Sequence, residues 1–184
     1  MLPPFNNSAL LTRALTHRSY LNEHPELPGE DNERLEFLGD AVLDFVAAEY
    51  LFRQYPAFAE GRLTSIRAAL VRMETLSEYA NQLDIGSLLR LGKGEAETGG
   101  RARQSLLADA FEAVVGALYL DQNIDAVRNF IEPLLAAEAD RIVGDERDRD
   151  AKSILQEWCQ ANRNTTPHYR TISAVGPDHA KWFT

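Results

Sequence analysis

Residues 32–44 read NERLEFLGDAVLD, and the reading of this stretch decides the fold. Its acids Glu33, Glu36 and Asp40 stand at relative positions 0, 3 and 7. At about 100° per residue they share roughly a 60° arc of one α-helical face. Leu35, Phe37, Leu38, Val42, Leu43, Phe45 and Val46 surround them. A helix apolar on most sides is a buried helix. The stretch therefore carries a row of carboxylates into or beside a core, with Arg34 as the basic residue within it. Burying unpaired carboxylates costs on the order of several kcal/mol each. A hard divalent cation, which prefers oxygen ligands, is the simplest remedy.

Composition sets the frame around this helix. A chain of 184 residues has room for one good domain and a fragment of another, and 45% hydrophobic residues supply a sizeable core. No apolar run reaches the roughly 18 residues of a membrane span. The opening MLPPFNNSALL lacks a basic region and a long apolar one, so it does not read as a secretory signal. A single cysteine, Cys159, excludes an internal disulfide and fits a reducing, cytoplasmic setting. The net charge of −9 argues against a protein that simply coats nucleic acid. Residues 1–144 hold 13 Lys/Arg against 22 Asp/Glu, a balance of −9, and residues 145–184 hold 6 of each. The acidity belongs to the first part, where an anionic substrate would be repelled without bound cations.

In chain order, Ser8 is expected to cap a short helix with Leu10, Leu11, Ala14 and Leu15 as its stripe. His17 then reads as a hydrogen-bonded core histidine, against a catalytic alternative. His24–Asp31 is a turn-rich loop. The acid-row helix runs from about Asn32 to Gln54 and ends before Pro56. Glu60-Gly61 is a loop entering one helix over 62–82, whose Arg62, Arg67 and Arg72 read as a solvated face. Leu91–Gly100 (LGKGEAETGG) is glycine-rich but lacks the ending of a P-loop, and reads as a flexible loop. Leu106–Asp121 is a second buried helix, with Asp109 and Glu112 three apart on one face. Its Ala113, Gly116 and Ala117 let another helix approach closely. A last helix over 124–143 contains Pro133, which is expected to kink or divide it.

Residues 144–150 (GDERDRD) read as a linker. Beyond it, a helix over 151–162 is expected to be capped by Asp150 and to face inward with Ile154, Leu155 and Trp158. Strands are expected at 168–175 and from Lys181. A helix and barely two strands are too little for an independent core, so the second domain reads as incomplete.

If the two acidic helices pack together, Glu33, Glu36, Asp40, Asp109 and Glu112 converge on a site suited to Mg²⁺. Such a site serves phosphoryl transfer, because a cation can activate water and stabilise the leaving oxygen. Zinc is disfavoured, since one cysteine and the scattered His17, His24, His168 and His179 form no ligand cluster. A di-iron carboxylate bundle needs Glu-x-x-His pairs, and none occurs. Asp44 returns to the same helical face, and periodicity alone would include it.

These residues resemble a known family. Asn32–Asp40 (NERLEFLGD) matches the signature of the ribonuclease III endonucleases without a substitution. THRS (Thr16–Ser19), Glu60-Gly61, Leu91–Arg101 and LADAFEAVVG (Leu107–Gly116) resemble its other blocks in order and spacing. The resemblance covers nearly all of 1–143 as an all-α, homodimeric endonuclease domain. Residues 151–184 look like the first half of an α+β double-stranded-RNA-binding domain. It implies that Glu36, Asp40, Asp109 and Glu112 ligate Mg²⁺, with Mn²⁺ able to substitute. It further implies that Asp40, Glu112 and Glu33 are catalytic, Glu112 being the critical ligand. Glu33 and Glu60 would support the cleft and dimer geometry, Phe37 would plug the partner subunit, and Asp44 is left out because the motif ends at Asp40. The implied reaction is hydrolysis of double-stranded RNA, ribosomal precursors included, to 5′-phosphate and 3′-hydroxyl ends with short 3′ overhangs. Gln156, Glu157, Pro177 and His179 match minor-groove contacts. The lysine-rich second helix of such domains has no counterpart within 151–184, from which weaker RNA affinity is expected. The alternatives are a fold of this kind that grips structured RNA without cutting it, and a scaffold with an acidic surface.

Overall fold

The computed structural model describes residues 1–27, 29–144, 155, 158–160, 162–168, 174–175 and 182–183. The chain divides into two compact units, Met1–Asp148 and Arg149–Thr184. In the first unit the described elements are helices: α1 Ser8–Ala14, α2 Arg18–Glu23, α3 Glu33–Gln54, α4 Glu60–Leu70, α5 Met73–Gln82, α6 Ile85–Leu88, α7 Lys93–Glu97, α8 Gln104–Asp121 and α9 Ile124–Gly144. A 3-10 turn at Gly100–Ala102 precedes α8.

The centre of the unit is α8, which buries ten residues from Leu107 to Leu118. Its most extensive packing is against α3, and α5, α1 and α9 also contact it. On α3 the buried set is Leu35, Gly39, Val42, Leu43, Val46, Ala47, Tyr50 and Leu51, a stripe at i, i+4, i+7 and i+8 spacing. The two helices meet backbone to backbone. A Cβ on Gly39 would stand 1.8 Å from the carbonyl oxygen of Glu112, and one on Gly116 would stand 2.2 Å from that of Leu35. Gly116, one of the small residues expected to admit a neighbouring helix, does so.

Several expectations are corrected. Asn7, not Ser8, caps α1, its side chain accepting from the Ala9 N–H at 3.0 Å. The helix expected over 62–82 is two. It breaks at Val71-Arg72, where Arg72 is extended and the Thr75 hydroxyl donates to the Ala69 carbonyl at 2.8 Å, closing the corner. Glu60 lies in the first turn of α4 and not in a loop. Within 91–100, residues Lys93–Glu97 form α7, with the Gly92 N–H donating to Ser19 Oγ (2.9 Å) and the Lys93 N–H to Glu23 Oε2 (2.8 Å). Pro133 does not divide α9. Pro133 and Asn129, whose carbonyl loses its partner, are both exposed, so water can satisfy that oxygen. Nor is α3 buried all round: Phe37, Ala41, Phe45 and Phe52 are exposed.

In the second unit, residues 155, 158–160 and 162–163 are helical. Strands β1 Ala174–Val175 and β2 Trp182–Phe183 pair antiparallel, Ala174 opposite Phe183. Leu155 and Trp158, expected to face inward, are exposed, and Ile154 lies outside the described residues. Among the described residues no helix is long and apolar enough to cross a membrane.

Candidate active site

Three distant segments are tied together by backbone hydrogen bonds beside the start of α3. The Arg90 N–H donates to the Leu15 carbonyl (2.8 Å), the His17 N–H to the Arg90 carbonyl (3.0 Å), and the Asn32 N–H to the Thr16 carbonyl (3.0 Å). This junction sets His17 and Asn32 at the mouth of the acid row. α3 then carries Glu33, Glu36 and Asp40, and α8 carries Asp109 and Glu112. The first turn of α3 is capped from outside the motif, as Asp31 Oδ1 accepts the Glu33 N–H at 3.3 Å.

A cavity of about 380 Å³ opens here, lined by His17, Asn32, Glu33, Glu36 and Asp109, with Leu89, Leu91 and Leu106 completing it. Electrostatics extend the group. The Glu36 carboxyl is held above its usual range by burial and by the charges of Asp109, Glu33, Asp40 and Asp31. Asp109 is raised by burial, with His17 opposing. Glu112 is pushed up to about 8 by burial and by Asp40, Glu36, Asp109 and Asp44. Acids from α3 and α8 therefore lie in one another's field, and both helices contribute through side chains beside the Gly39–Gly116 crossing. Asp40 and Glu112 do not line the cavity itself. Among the described residues, no three His, Cys, Asp or Glu side chains are gathered tightly enough to hold an ion as they stand. Burial is the first cause of each raised carboxyl, and neighbouring carboxylates add to it at Glu36 and Glu112.

The other residues singled out are placed as follows. Glu33 is exposed and pairs with Arg18 at 3.5 Å. Glu60 is exposed, accepts from the Thr64 hydroxyl at 3.3 Å and lies outside the cavity lining. Asp44 pairs with Arg67 at 3.9 Å, which also takes Arg67 out of the simple solvated face. Phe37 is 81% exposed. Gln156, Glu157, Pro177 and His179 lie outside the described residues. Sequence reasoning missed Asn32 as a cavity residue. The residue is buried at 3% exposure, and its place in the signature, one residue ahead of the acid row, was the available signal. His17 is neither the core residue expected nor isolated: it is half-buried, caps α2 by accepting the Ser19 N–H, and faces the acids.

Chemically, the donor set is carboxylate oxygen without thiolate, which suits hard cations. Comparison with known proteins agrees in extent and order. Residues 7–138 match the family described as Ribonuclease-III-like, and 151–184 match the double-stranded RNA binding motif. The chain is similar to Ribonuclease 3 of Bacillus cytotoxicus, 48% identical over 97% of this chain and 73% of that protein. It is likewise similar to Ribonuclease 3 of Roseiflexus, 47% identical over 98% and 77%. Among solved structures, the nuclease domain of ribonuclease III from Campylobacter jejuni superposes with a TM-score of 0.66 at 39% identity, covering 73% of this chain and 87% of that one. A second structure of that domain, described for flexibility in a region involved in dimer formation, gives 0.67 at 38% identity, covering 73% and 90%. Agreement that runs through both units leaves one conclusion: the chain belongs to the ribonuclease III family of double-strand-specific endoribonucleases.

Proposed function

We propose that this chain is a Mg²⁺-dependent homodimeric endonuclease that hydrolyses both strands of duplex RNA. The products carry 5′-phosphate and 3′-hydroxyl ends with short 3′ overhangs. Residues 1–143 act as the nuclease domain, 144–150 as a linker and 151–184 as an RNA-binding part. Structured precursors, ribosomal ones included, are the substrates. The observation that carries the reading is the backbone contact of α3 and α8 at Gly39 and Gly116, which brings Glu36 and Asp40 beside Asp109 and Glu112; burial and these neighbours push the Glu112 carboxyl up to about 8. A carboxyl so disfavoured as an anion is relieved by a cation. All-oxygen donors on two helices locked backbone to backbone fit Mg²⁺, or Mn²⁺ in its place.

Glu36, Asp40, Asp109 and Glu112 hold the metal, which when bound supplies charge to draw in the phosphodiester and to activate the attacking water. The chain does the rest. The α3–α8 contact fixes where the four carboxylates start from, and Glu33 at the rim, steadied by Arg18, helps place substrate and water. Leu89, Leu91 and Leu106 keep part of the cavity wall apolar, which strengthens electrostatic interactions within it. For the homodimer, Phe37, Phe45 and Phe52 are exposed at 81, 53 and 74%, and lie within roughly an 80° arc of α3. Such an apolar face on a soluble unit marks an interaction surface. A twofold dimer offers one site to each strand of a duplex, with Phe37 entering the partner and Glu60 supporting the cleft. In the second unit Gln156, Glu157, Pro177 and His179 contact the minor groove.

The test is incubation with a long perfect RNA duplex, with and without Mg²⁺ and chelator, followed by sizing of both strands. Cation-dependent cutting of both strands with short 3′ overhangs is expected, and Glu112→Gln is expected to bind the duplex without cutting. Cleavage by Glu112→Gln at the normal rate would remove the ligand assignment, and intact duplex after incubation with Mg²⁺ would remove the function.

A further inference from the structure

We propose that His17 and Asn32 form a donor wall in the acidic cavity that binds a non-bridging oxygen of the phosphodiester, with His17 Nε2–H as the principal donor. This rests on the reading of the cavity as the place of phosphodiester hydrolysis. It assigns substrate contact to two residues outside the carboxylate set.

The argument starts from an imbalance. Ionised Glu33, Glu36 and Asp109 only accept hydrogen bonds, and so does a phosphate oxygen. Of the residues lining the cavity, only His17 and Asn32 carry side-chain N–H groups. The histidine ring is oriented by its other nitrogen. His17 Nδ1 accepts from the Ser19 N–H at 3.2 Å and lies 2.8 Å from Ser19 Oγ. Ser19 Oγ in turn accepts from the Gly92 N–H at 2.9 Å, so its own hydrogen is free to point to Nδ1. In the uncharged ring an accepting Nδ1 leaves the hydrogen on Nε2, and in the charged ring Nε2 carries one as well. Nε2 makes no hydrogen bond among the described residues and is the nitrogen left to the cavity.

Asn32 is built the same way. Its main chain is fully engaged: the N–H donates to Thr16, and the carbonyl accepts from the Leu35 and Glu36 N–H groups at 2.9 Å each. The residue is 3% exposed, and its side chain makes no capping bond to α3. Asn32 lines the cavity beside His17, where its side-chain amide adds a second N–H donor to the wall. The Thr16–Arg90 junction fixes both groups relative to the acids before any ligand arrives, which is the condition for preorganised stabilisation of charge.

The variants separate this role from helix capping. In His17→Asn, the amide oxygen takes the capping position of Nδ1, and Asn is among the best caps, but the distal donor is gone. In His17→Gln, the amide nitrogen reaches the position of Nε2. Single-turnover cleavage of duplex RNA in saturating Mg²⁺ is expected to fall about 100- to 1000-fold in His17→Asn, with melting temperature and duplex affinity unchanged, and to recover most of that loss in His17→Gln. Nitrogen-15 imidazole spectra of the metal-free protein are expected to show the hydrogen on Nε2. Wild-type cutting with His17→Asn equally fast overturns the inference alone, as does a ring protonated only on Nδ1 or a His17→Gln as slow as His17→Asn. A wild-type chain that does not cut overturns the functional reading and this inference with it.

Discussion

Gly39 of α3 and Gly116 of α8 pack face to face: a Cβ on Gly116 would lie 3.0 Å from the Gly39 amide nitrogen and 2.2 Å from the Leu35 carbonyl oxygen. This contact brings Glu36 and Asp40 into the field of Asp109 and Glu112. Since the obstructing atoms are backbone, neither helix can yield locally. Gly116→Ala and Gly39→Ala are each expected to destabilise the chain by more than about 3 kcal/mol, read by urea denaturation. At Gly61 nothing stands within 4 Å of an added Cβ, and Gly61→Ala is expected to be neutral or stabilising by up to about 1 kcal/mol. Equal effects at the three positions would contradict the packing argument.

The Glu112 carboxyl makes metal-free stability depend on pH. Its folded pKa, about 8, lies above the ordinary 4.5. The stability contributed by the protonated form is therefore complete below about 4.5 and lost as pH rises through about 8. With solvent screening of a half-buried group, that loss is about 1–3 kcal/mol. In chelator, wild type is expected to lose that much more than Glu112→Gln between about pH 5 and 9. Added Mg²⁺ should restore wild type by mass action. Parallel pH profiles for the two chains would refute the coupling.

Tyr79 is 2% exposed, and its hydroxyl has no hydrogen-bond partner among the described residues. Burial raises its pKa, and Glu138 and Glu78 add to this while Arg141 opposes. A buried hydroxyl without a partner costs about 1–3 kcal/mol of desolvation. Its ring packs on Phe111, centroids 5.6 Å apart, and survives in Tyr79→Phe. That variant is expected to be as stable as wild type or up to about 2 kcal/mol more stable. A loss of more than 1 kcal/mol in thermal unfolding would reveal a hydrogen bond to the hydroxyl.

For the proposed homodimer, Phe45→Asp places a charge within the exposed apolar face of α3. Sedimentation is expected to show a dimer for wild type at micromolar concentration and a monomer for Phe45→Asp, whose circular dichroism should be unchanged. A wild-type monomer, or a dimer untouched by the substitution, would move the interface elsewhere.

Much of the site was legible along the chain because helical periodicity is local. The spacing of Glu33, Glu36 and Asp40, that of Asp109 and Glu112, and the small residues at 113, 116 and 117 each report a face of one helix. What only the tertiary structure decided lies between segments. Thr16, Asn32 and Arg90 meet through main-chain hydrogen bonds, and such bonds leave no trace in side-chain pattern, since every residue carries the same N–H and C=O. That junction turned His17 from an expected core residue into a wall of the acidic cavity and gave buried Asn32 a direction. The corner at Val71-Arg72 and α7 escaped for a related reason: a side chain there bonds to main chain, and its partner is not visible in helical periodicity. Each is held by a hydrogen bond to a neighbouring turn or to α2, while local propensity at those positions is indifferent. The sequence alone therefore determined which residues could do the chemistry. The crossing of α3 and α8, a matter of backbone contact at two glycines, decided that they act on one another.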